Sequence, residues 1–162
     1  MNDSNDGLIQ SRGEYQAALL QAFALIAESS ASEIWMCDAD FADWPLNEPQ
    51  VVAQLTRWSV AHRRCHVLAL NYDLMPRRHP RWVQWRRHWS HVVSCMTPDD
   101  SGNGRLPGLL FAPGVVSVRL VDRVHYRGRI STDVDDAVRL REELDALFQR
   151  SVVAFPASTL GL

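Results

Sequence analysis

The sequence contains no lysine, and all 17 of its permanently charged basic residues are arginines. An arginine stays protonated at physiological pH, so it cannot readily act as a general acid or base or form a Schiff base. Lysine-dependent catalysis is therefore excluded. A phosphate-binding P-loop is excluded as well, because that loop requires a Gly-Lys-Ser/Thr sequence.

Cysteine is scarce, and its placement carries no metal or disulfide signature. The three cysteines, Cys37, Cys65 and Cys95, lie at or beside three predicted strands, and no Cys-x-x-Cys pair exists. Zinc-ligand spacing is absent, so packing in the core is the favoured interpretation and neither a metal nor another cofactor is predicted. The polar, acidic N-terminus is unlike a secretory signal. Together these features predict a cytoplasmic protein.

Long hydrophobic runs are also missing, although apolar residues are plentiful. No apolar stretch reaches the roughly 18 residues of a membrane-spanning helix. The 162 residues are 46% hydrophobic and include six tryptophans, which is enough apolar area to argue against disorder. We predict a flexible N-terminus over 1–10, a single α/β domain over 11–151 and a C-terminal tail over 152–162.

Hydrophobic periodicity separates helices from strands along the chain. Apolar residues at helical spacing predict helices over 13–28, 47–62, 80–90 and from 132 or 133 to about 150. Short apolar runs predict strands over 33–37, 66–70, 91–96, 109–112 and 115–121, and the alternation over 124–130 is compatible with a sixth. Ser11 and Glu14 have the spacing of a capping box. The Gly- and Pro-rich segment 97–108 is predicted to be a mobile loop.

The order of these elements predicts the fold. Helices separate the first three strands, which implies right-handed crossovers and parallel pairing, whereas short turns join the later strands and imply an antiparallel addition. We therefore predict a three-layer α/β/α sandwich with a mixed, largely parallel sheet. Ligands of such folds bind beyond the carboxyl ends of the strands. Asp38, Asp40, Asn71 and Asp73 follow the first two strands and are expected near any site.

Charge is distributed unevenly. The segment 57–91 holds eight arginines and one aspartate, a net charge of +7, whereas the rest of the chain has a net charge of −9. Five of the six histidines lie in the same segment. It is either a set of solvated helix faces or a surface for anions, including nucleic acid. Within it, Arg77 and Arg78, followed by His79, form the densest candidate for anion binding.

Three tryptophans in the third predicted helix have the spacing of one helix face. Trp82, Trp85 and Trp89 are predicted to face the core, although such rings can also stack on bases or sugars. On this pattern the arginines of the same helix lie outside: Arg81, Arg86 and Arg87.

The arrangement over about 15–151 resembles one half of the phospholipase D superfamily. An alanine-containing helix precedes the strand Ser32-Glu33-Ile34-Trp35-Met36, as in the opening of that family. The run from Val116 to Asp122 resembles the strand that carries the family's catalytic motif, and the run from Ala146 to Ser151 resembles its closing helix.

That family's motif is His-x-Lys-x4-Asp, in which the histidine attacks phosphorus, the lysine holds the phosphate and the aspartate orients the histidine. Aligning the acid on Asp122 puts Val115 at the nucleophile position and Ser117 at the lysine position. This alignment is preferred because Asp122 closes an apolar strand. An alignment that starts at His125 and Arg127 puts Thr132 at the acid position.

The resemblance therefore implies the scaffold without its standard chemistry. It predicts a non-catalytic binding or assembly module that holds an anionic, phosphate-containing ligand near Arg77, Arg78, Asp122, His125 and Arg127. It also implies a homodimer, because single-half members tend to pair across the site face. Two alternatives stay open: an atypical phosphodiesterase with His125 as nucleophile, and a nucleic-acid-binding protein that uses the segment 57–91.

Overall fold

The computed structural model describes residues 6–60, 62–99, 106–133 and 137–156. Within these ranges the chain forms five helices: α1 (Arg12–Ala27), α2 (Pro49–Trp58), α3 (Met75–Arg78), α4 (Pro80–His88) and α5 (Ala137–Gln149). The same ranges contain eight strands: β1 (Gly7–Ile9), β2 (Glu33–Asp38), β3 (Arg64–Ala69), β4 (Val93–Pro98), β5 (Gly108–Ala112), β6 (Val116–Asp122), β7 (Arg127–Ser131) and β8 (Ser151–Val153). Of the described helices, none is long and apolar enough to cross a membrane.

The first helix begins where its capping residues predict. Ser11 is the N-cap of α1, and its Oγ accepts a hydrogen bond from the backbone N–H of Glu14 at 3.1 Å. The Glu14 carboxylate in turn accepts from the backbone N–H of Gln10 at 2.7 Å. The first bond satisfies an N–H group that a helix start leaves without an intrahelical partner, and the second ties the residue before the N-cap to the first turn.

All eight strands form one sheet in the order β1-β7-β6-β5-β2-β3-β4-β8. The pairings β2–β3 and β3–β4 are parallel, and the other five are antiparallel. The prediction of a mixed α/β sheet is confirmed, but the prediction that it is largely parallel was wrong. The reason is that only β2, β3 and β4 are separated by helical crossovers, whereas β5, β6 and β7 are joined by tight turns that reverse the chain.

The central strands are buried on both faces, which explains their continuous apolar sequences. In β2, Ile34 and Met36 belong to a large core cluster with the buried faces of α1, α2 and α4. Trp35 and Cys37 point the other way, into a second cluster with Leu144 of α5. The two faces of β2 therefore pack against different helices.

The two outermost strands lie outside the predicted elements. β1, within the segment predicted to be a flexible start, pairs with β7, and Ile9 is buried. β8, which spans the predicted boundary between the domain and the tail, pairs with β4. Beyond β8, the ring of Phe155 stacks on Tyr72 at a centroid distance of 5.1 Å.

The buried tryptophans and cysteines agree with the sequence analysis. Trp82 and Trp85 are buried, and Trp89 is partly buried against the same cluster. All three cysteines are free and buried. Burial raises the pKa of the Cys95 thiol to about 11, so it stays protonated at neutral pH.

Three details of the prediction need correction or lie beyond the described residues. Arg86 was expected outside but is buried, because its guanidinium donates to the carbonyls of Val93 and Phe155. Of the predicted loop 97–108, residues 100–105 lie outside the described part of the chain, and so do residues 134–136 of the last predicted helix.

Candidate functional site

The carboxyl edge of the parallel strands carries a buried carboxylate that fixes the segment 38–43, which follows β2. Asp38 is 3% exposed, and its Oδ2 accepts from the backbone N–H groups of Phe41 at 2.8 Å and Asp40 at 3.2 Å. Its Oδ1 accepts from Arg123 Nη1 at 3.0 Å. Burial raises the pKa of Asp38, and the charge of Arg123 opposes that rise. The ion pair ties the β6–β7 turn to the end of β2.

Asp122, the predicted acid of the motif, organises the turn between β6 and β7. Its Oδ1 accepts from the backbone N–H groups of Val124 and His125 at 3.0 and 3.1 Å. Its Oδ2 lies 2.9 Å from Nδ1 of His125. These hydrogen bonds hold the pKa of Asp122 below its usual range, and the bond from the His125 ring has the largest effect. The carboxylate thus orients the imidazole while it also caps the turn.

The side chain of His125 is 68% exposed at the tip of this turn. Arg127 follows in β7, opposite Asp122 across a register shift, and is exposed. Gly128 allows β7 to approach closely here, since a Cβ at this position would collide with the backbone carbonyl of Arg119. The turn therefore places His125 against Asp122, and the β6–β7 register places Arg127 opposite Asp122.

Arg77 and Arg78 lie on the short helix α3, apart from that group. Both are exposed, and Arg78 Nη1 reaches the carbonyl of Ala42 at 3.4 Å. The neighbouring His79 is buried, with Nε2 at 2.8 Å from the carbonyl of Phe41. Within the described part of the chain, neither arginine bonds to Asp122 or His125. Both groups contact the segment 38–43: Arg78 bonds to Ala42, and the β6–β7 turn bonds to Asp38 and Asp43.

A second anchor of the same turn was missed by the sequence analysis. The hydroxyl of Tyr126 donates to Asp43 Oδ2 at 2.7 Å, and Arg12 Nε donates to Asp43 Oδ1 at 2.8 Å. Partial burial alone would raise the pKa of Asp43, but the hydrogen bonds from Arg12 and Tyr126 lower it. Tyr126 also adopts a φ of 53°, in the left-handed region that few non-glycine residues occupy.

A cleft of about 640 Å³ opens beside this turn, and we call it the carboxyl-edge cleft. Its walls are mainly apolar, with Leu70, Leu106 and Leu120 among them, and its charged groups are those of Asp122 and Arg123. The volume is within the range of small-molecule sites. The arrangement offers a few polar groups on an apolar surface, which suits binding and orientation of a ligand.

The positions that the resemblance assigns to the nucleophile and the lysine lie at the start of β6, far from the turn. Val115 is a partly buried aliphatic residue that packs against the core. Ser117 pairs with Phe111 and Ser131 across the neighbouring strands. Neither residue supplies an imidazole or a cation. In the described ranges there is also no group of three His, Cys, Asp or Glu residues that could hold a metal ion.

No family model matches the sequence, and no curated protein matches it. Among solved structures, a phospholipase D family member, Nuc from Salmonella typhimurium, aligns with a TM-score of 0.58 and 9% identity over 92% of this chain and 97% of its own. NucT from Helicobacter pylori aligns with a TM-score of 0.56 and 6% identity, and the alignment covers 92% of this chain and 98% of NucT.

The archaeal chromatin protein TrmBL2, whose structure shows a novel mode of DNA binding, aligns with a TM-score of 0.60 and 13% identity. The alignment covers 92% of this chain but 54% of that protein, so the chain spans about half its length. These structural likenesses define the class of fold: the chain has a phospholipase D-like fold, as its sequence resemblance implied.

Proposed function

We propose that the chain is a non-catalytic phospholipase D-like binding or assembly module on a three-layer α/β/α scaffold. The observation that carries this proposal is the use made of Asp122. Both of its oxygens serve the β6–β7 turn and His125, while Val115 and Ser117 occupy the positions from which an imidazole and a cation would act. The fold supports the scaffold, and the substituted positions support a loss of the standard chemistry.

The ligand we propose is anionic and contains phosphate. His125 and Arg127 would meet it at the turn beside the carboxyl-edge cleft, and Arg77 and Arg78 would meet its outer part from α3. Arginine forks match phosphate oxygens in geometry and charge. The ion pair between Arg123 and the buried Asp38 supports this placement, because it holds the turn rigid before a ligand arrives.

The alternative of an atypical phosphodiesterase draws support from one contact, the 2.9 Å approach of Asp122 to His125. A carboxylate that holds one ring nitrogen leaves the other available to attack phosphorus. The high exposure of His125 weighs against this alternative, because phosphoryl transfer depends on charge stabilisation in a site that excludes water.

Incubation with bis-p-nitrophenyl phosphate distinguishes the two functions. We expect no release of p-nitrophenol above the buffer rate, and no difference between the wild-type chain and His125→Ala. Hydrolysis that disappears in His125→Ala would show that the phosphodiesterase alternative is correct.

The same compound tests the anion site by calorimetry. Arg127→Gln is expected to weaken binding about tenfold, the effect of losing one charge-assisted contact to phosphate. Arg129→Gln, two residues further along β7, is the matched control and should bind like the wild type. Equal affinities of all three proteins would remove the proposed site.

The state of the cysteines supports a proposal for the cellular location. Three free, buried thiols are typical of a reducing compartment, so we propose that the chain works in the cytoplasm.

A further inference from the structure

A different cleft opens at the opposite edge of the sheet from Asp122, and we call it the basic cleft. Its walls come from the α2–β3 connection and from the residues just before β4, so it lies beyond the amino ends of the parallel strands. Its volume is about 600 Å³, within the range of small-molecule sites. None of the residues of the proposed carboxyl-edge site lines it.

Every ionisable residue that lines the basic cleft is basic: His62, Arg63, Arg64 and His91. In the described ranges no carboxylate forms an ion pair with Arg63 or Arg64. The cleft therefore concentrates positive charge that the protein itself leaves uncompensated, and such a concave basic surface attracts anions. It also places part of the Arg-rich segment 57–91 around one concavity.

One of these arginines is fixed in place before any ligand binds. Arg63 Nη1 donates to the carbonyls of Ser30 and Ala31 at 2.9 and 2.6 Å. The Ala31 carbonyl also accepts from the indole N–H of Trp58, which is buried. Arg64 starts β3 on an exposed position. A guanidinium held in this way loses little freedom when it meets a phosphate.

An aromatic ring stands beside these cations. Trp89 packs on the core on one side and lines the basic cleft on the other, with the ring of His91 at a centroid distance of 5.6 Å. Trp89 also lines a mainly apolar groove of about 500 Å³ between α2 and α4, together with Trp85 and His88. A planar group can therefore lie against the indole while its charged part stays among the arginines.

We propose that the basic cleft binds a nucleotide unit, with its phosphate at Arg63 and Arg64 and its base against Trp89. The proposal concerns binding alone and is independent of the ligand at the carboxyl-edge cleft. The shared chemistry is one phosphate and one base, which either a free mononucleotide or a single-stranded nucleic acid supplies.

The test is a titration of the full chain at low salt with AMP, with oligo(dT) and with inorganic phosphate, followed by tryptophan fluorescence and calorimetry. We expect saturable binding of AMP or oligo(dT), with quenching of fluorescence, that is tighter than binding of phosphate. Equal affinity for AMP and for one oligo(dT) site identifies the free nucleotide as the source. Tighter binding of oligo(dT), with a steep salt dependence, identifies the single strand.

Variants separate a built site from general attraction to basic protein. Arg64→Gln should weaken binding about tenfold, as expected for one charge-assisted phosphate contact. Arg87→Gln removes the same charge from an exposed position of α4 outside the cleft, and its affinity should stay within about twofold of the wild type. Trp89→Phe should abolish the ligand-dependent quenching while the far-ultraviolet circular dichroism stays the same.

Three results would overturn the proposal. The first is no binding of AMP or oligo(dT) at low salt. The second is equal affinity for AMP and inorganic phosphate, since the base would then contribute nothing. The third is an equal loss of affinity in Arg64→Gln and Arg87→Gln.

Discussion

Two histidines make the stability of the fold depend on pH: His79, which is buried, and His66, which is half-buried. The His79 ring donates from Nε2 to the carbonyl of Phe41, and loss of hydration on burial, with the charge of Arg78, lowers its pKa. The ring of His66 stacks on Trp35 at a centroid distance of 4.1 Å. Burial lowers the pKa of His66 as well, although the hydrogen bond to Glu33 opposes this effect. Both rings are therefore neutral in the folded chain at pH 7.

We predict that the free energy of unfolding decreases as the pH falls below about 6.5, the ordinary histidine pKa. Below that pH the two histidines are protonated in the unfolded chain but still neutral in the folded chain. Their contribution to the free energy of unfolding is therefore fully present above about pH 6.5, and it is lost as the pH falls towards their pKa in the folded chain. Each histidine contributes at most about 1.4 kcal/mol per pH unit. Urea denaturation at pH 7 and pH 5 measures the difference.

His79→Gln keeps a donor for the Phe41 carbonyl but cannot be protonated, so its stability should depend less on pH than that of the wild type. His88→Gln changes an exposed histidine of α4 and should leave the pH dependence as it is. The prediction is wrong if the free energies of unfolding of His79→Gln and the wild type differ by the same amount at pH 7 and at pH 5.

Side-chain contacts could be predicted from the sequence only where they are local. Asp122 and His125 are three residues apart, and their contact follows from the geometry of a tight turn. The contact between Asp38 and Arg123 joins residues 85 positions apart, and no local pattern indicates it. The same is true of Tyr126 and Asp43.

At the scale of elements, Arg86 joins three parts of the fold. Its guanidinium donates from α4 to the carbonyl of Val93 in β4 at 3.3 Å and to that of Phe155, beyond β8, at 3.2 Å. Arg86 is 5% exposed, and no carboxylate in the described ranges pairs with it. The hydrogen bonds to carbonyls are therefore what makes its burial tolerable.

We predict that Arg86→Ala lowers the free energy of unfolding by about 2–4 kcal/mol, because it leaves the buried carbonyl of Val93 and the part-buried carbonyl of Phe155 without these donors and opens a cavity. It should also release the segment after β8, which limited proteolysis would detect as faster cleavage near residue 155. Thermal or urea denaturation gives the magnitude.

Arg87→Ala is the control on the same helix. Arg87 is exposed, so its replacement should change stability by no more than about 0.5 kcal/mol. Equal stability of the two variants would show that the buried guanidinium does not hold these elements together.

Long apolar or periodic segments could be predicted as elements, whereas short ones could not. α1 and β2 lie close to their predicted bounds, since each has a complete pattern within its own sequence. β1 and β8 have three residues each, and they are strands because of partners far along the chain, such as Ile130 for Gly7. The helical spacing of α4 predicted all three of its arginines to be exposed, but tertiary contacts bury Arg86.

At the scale of the whole molecule, two exposed valines line the carboxyl-edge cleft, one at the end of β6 and one in the turn that follows. Val121 is 77% and Val124 is 81% exposed, and they adjoin the apolar wall formed by Leu106 and Leu120. A contiguous apolar surface of this kind favours association with another protein surface. It supports the homodimer that the resemblance implies.

We predict a dimer in sedimentation equilibrium at high micromolar concentration. Val121→Asp combined with Val124→Asp should shift the protein to monomer, because carboxylates would be buried without partners at the interface. Val138→Asp, which changes an exposed valine of α5, is the matched control and should remain dimeric. A monomeric wild-type protein at that concentration would contradict the prediction.

The three-residue strands at the two borders of the sheet have a consequence for self-assembly. A long bare border presents a row of unpaired N–H and C=O groups on which further chains can add and grow into fibres. In the described part of the chain, β1 covers three residues of β7 and β8 covers three residues of β4, so each of these outermost strands offers three residues as a template. The sheet is thereby protected against open-ended growth even though its inner strands are strongly apolar.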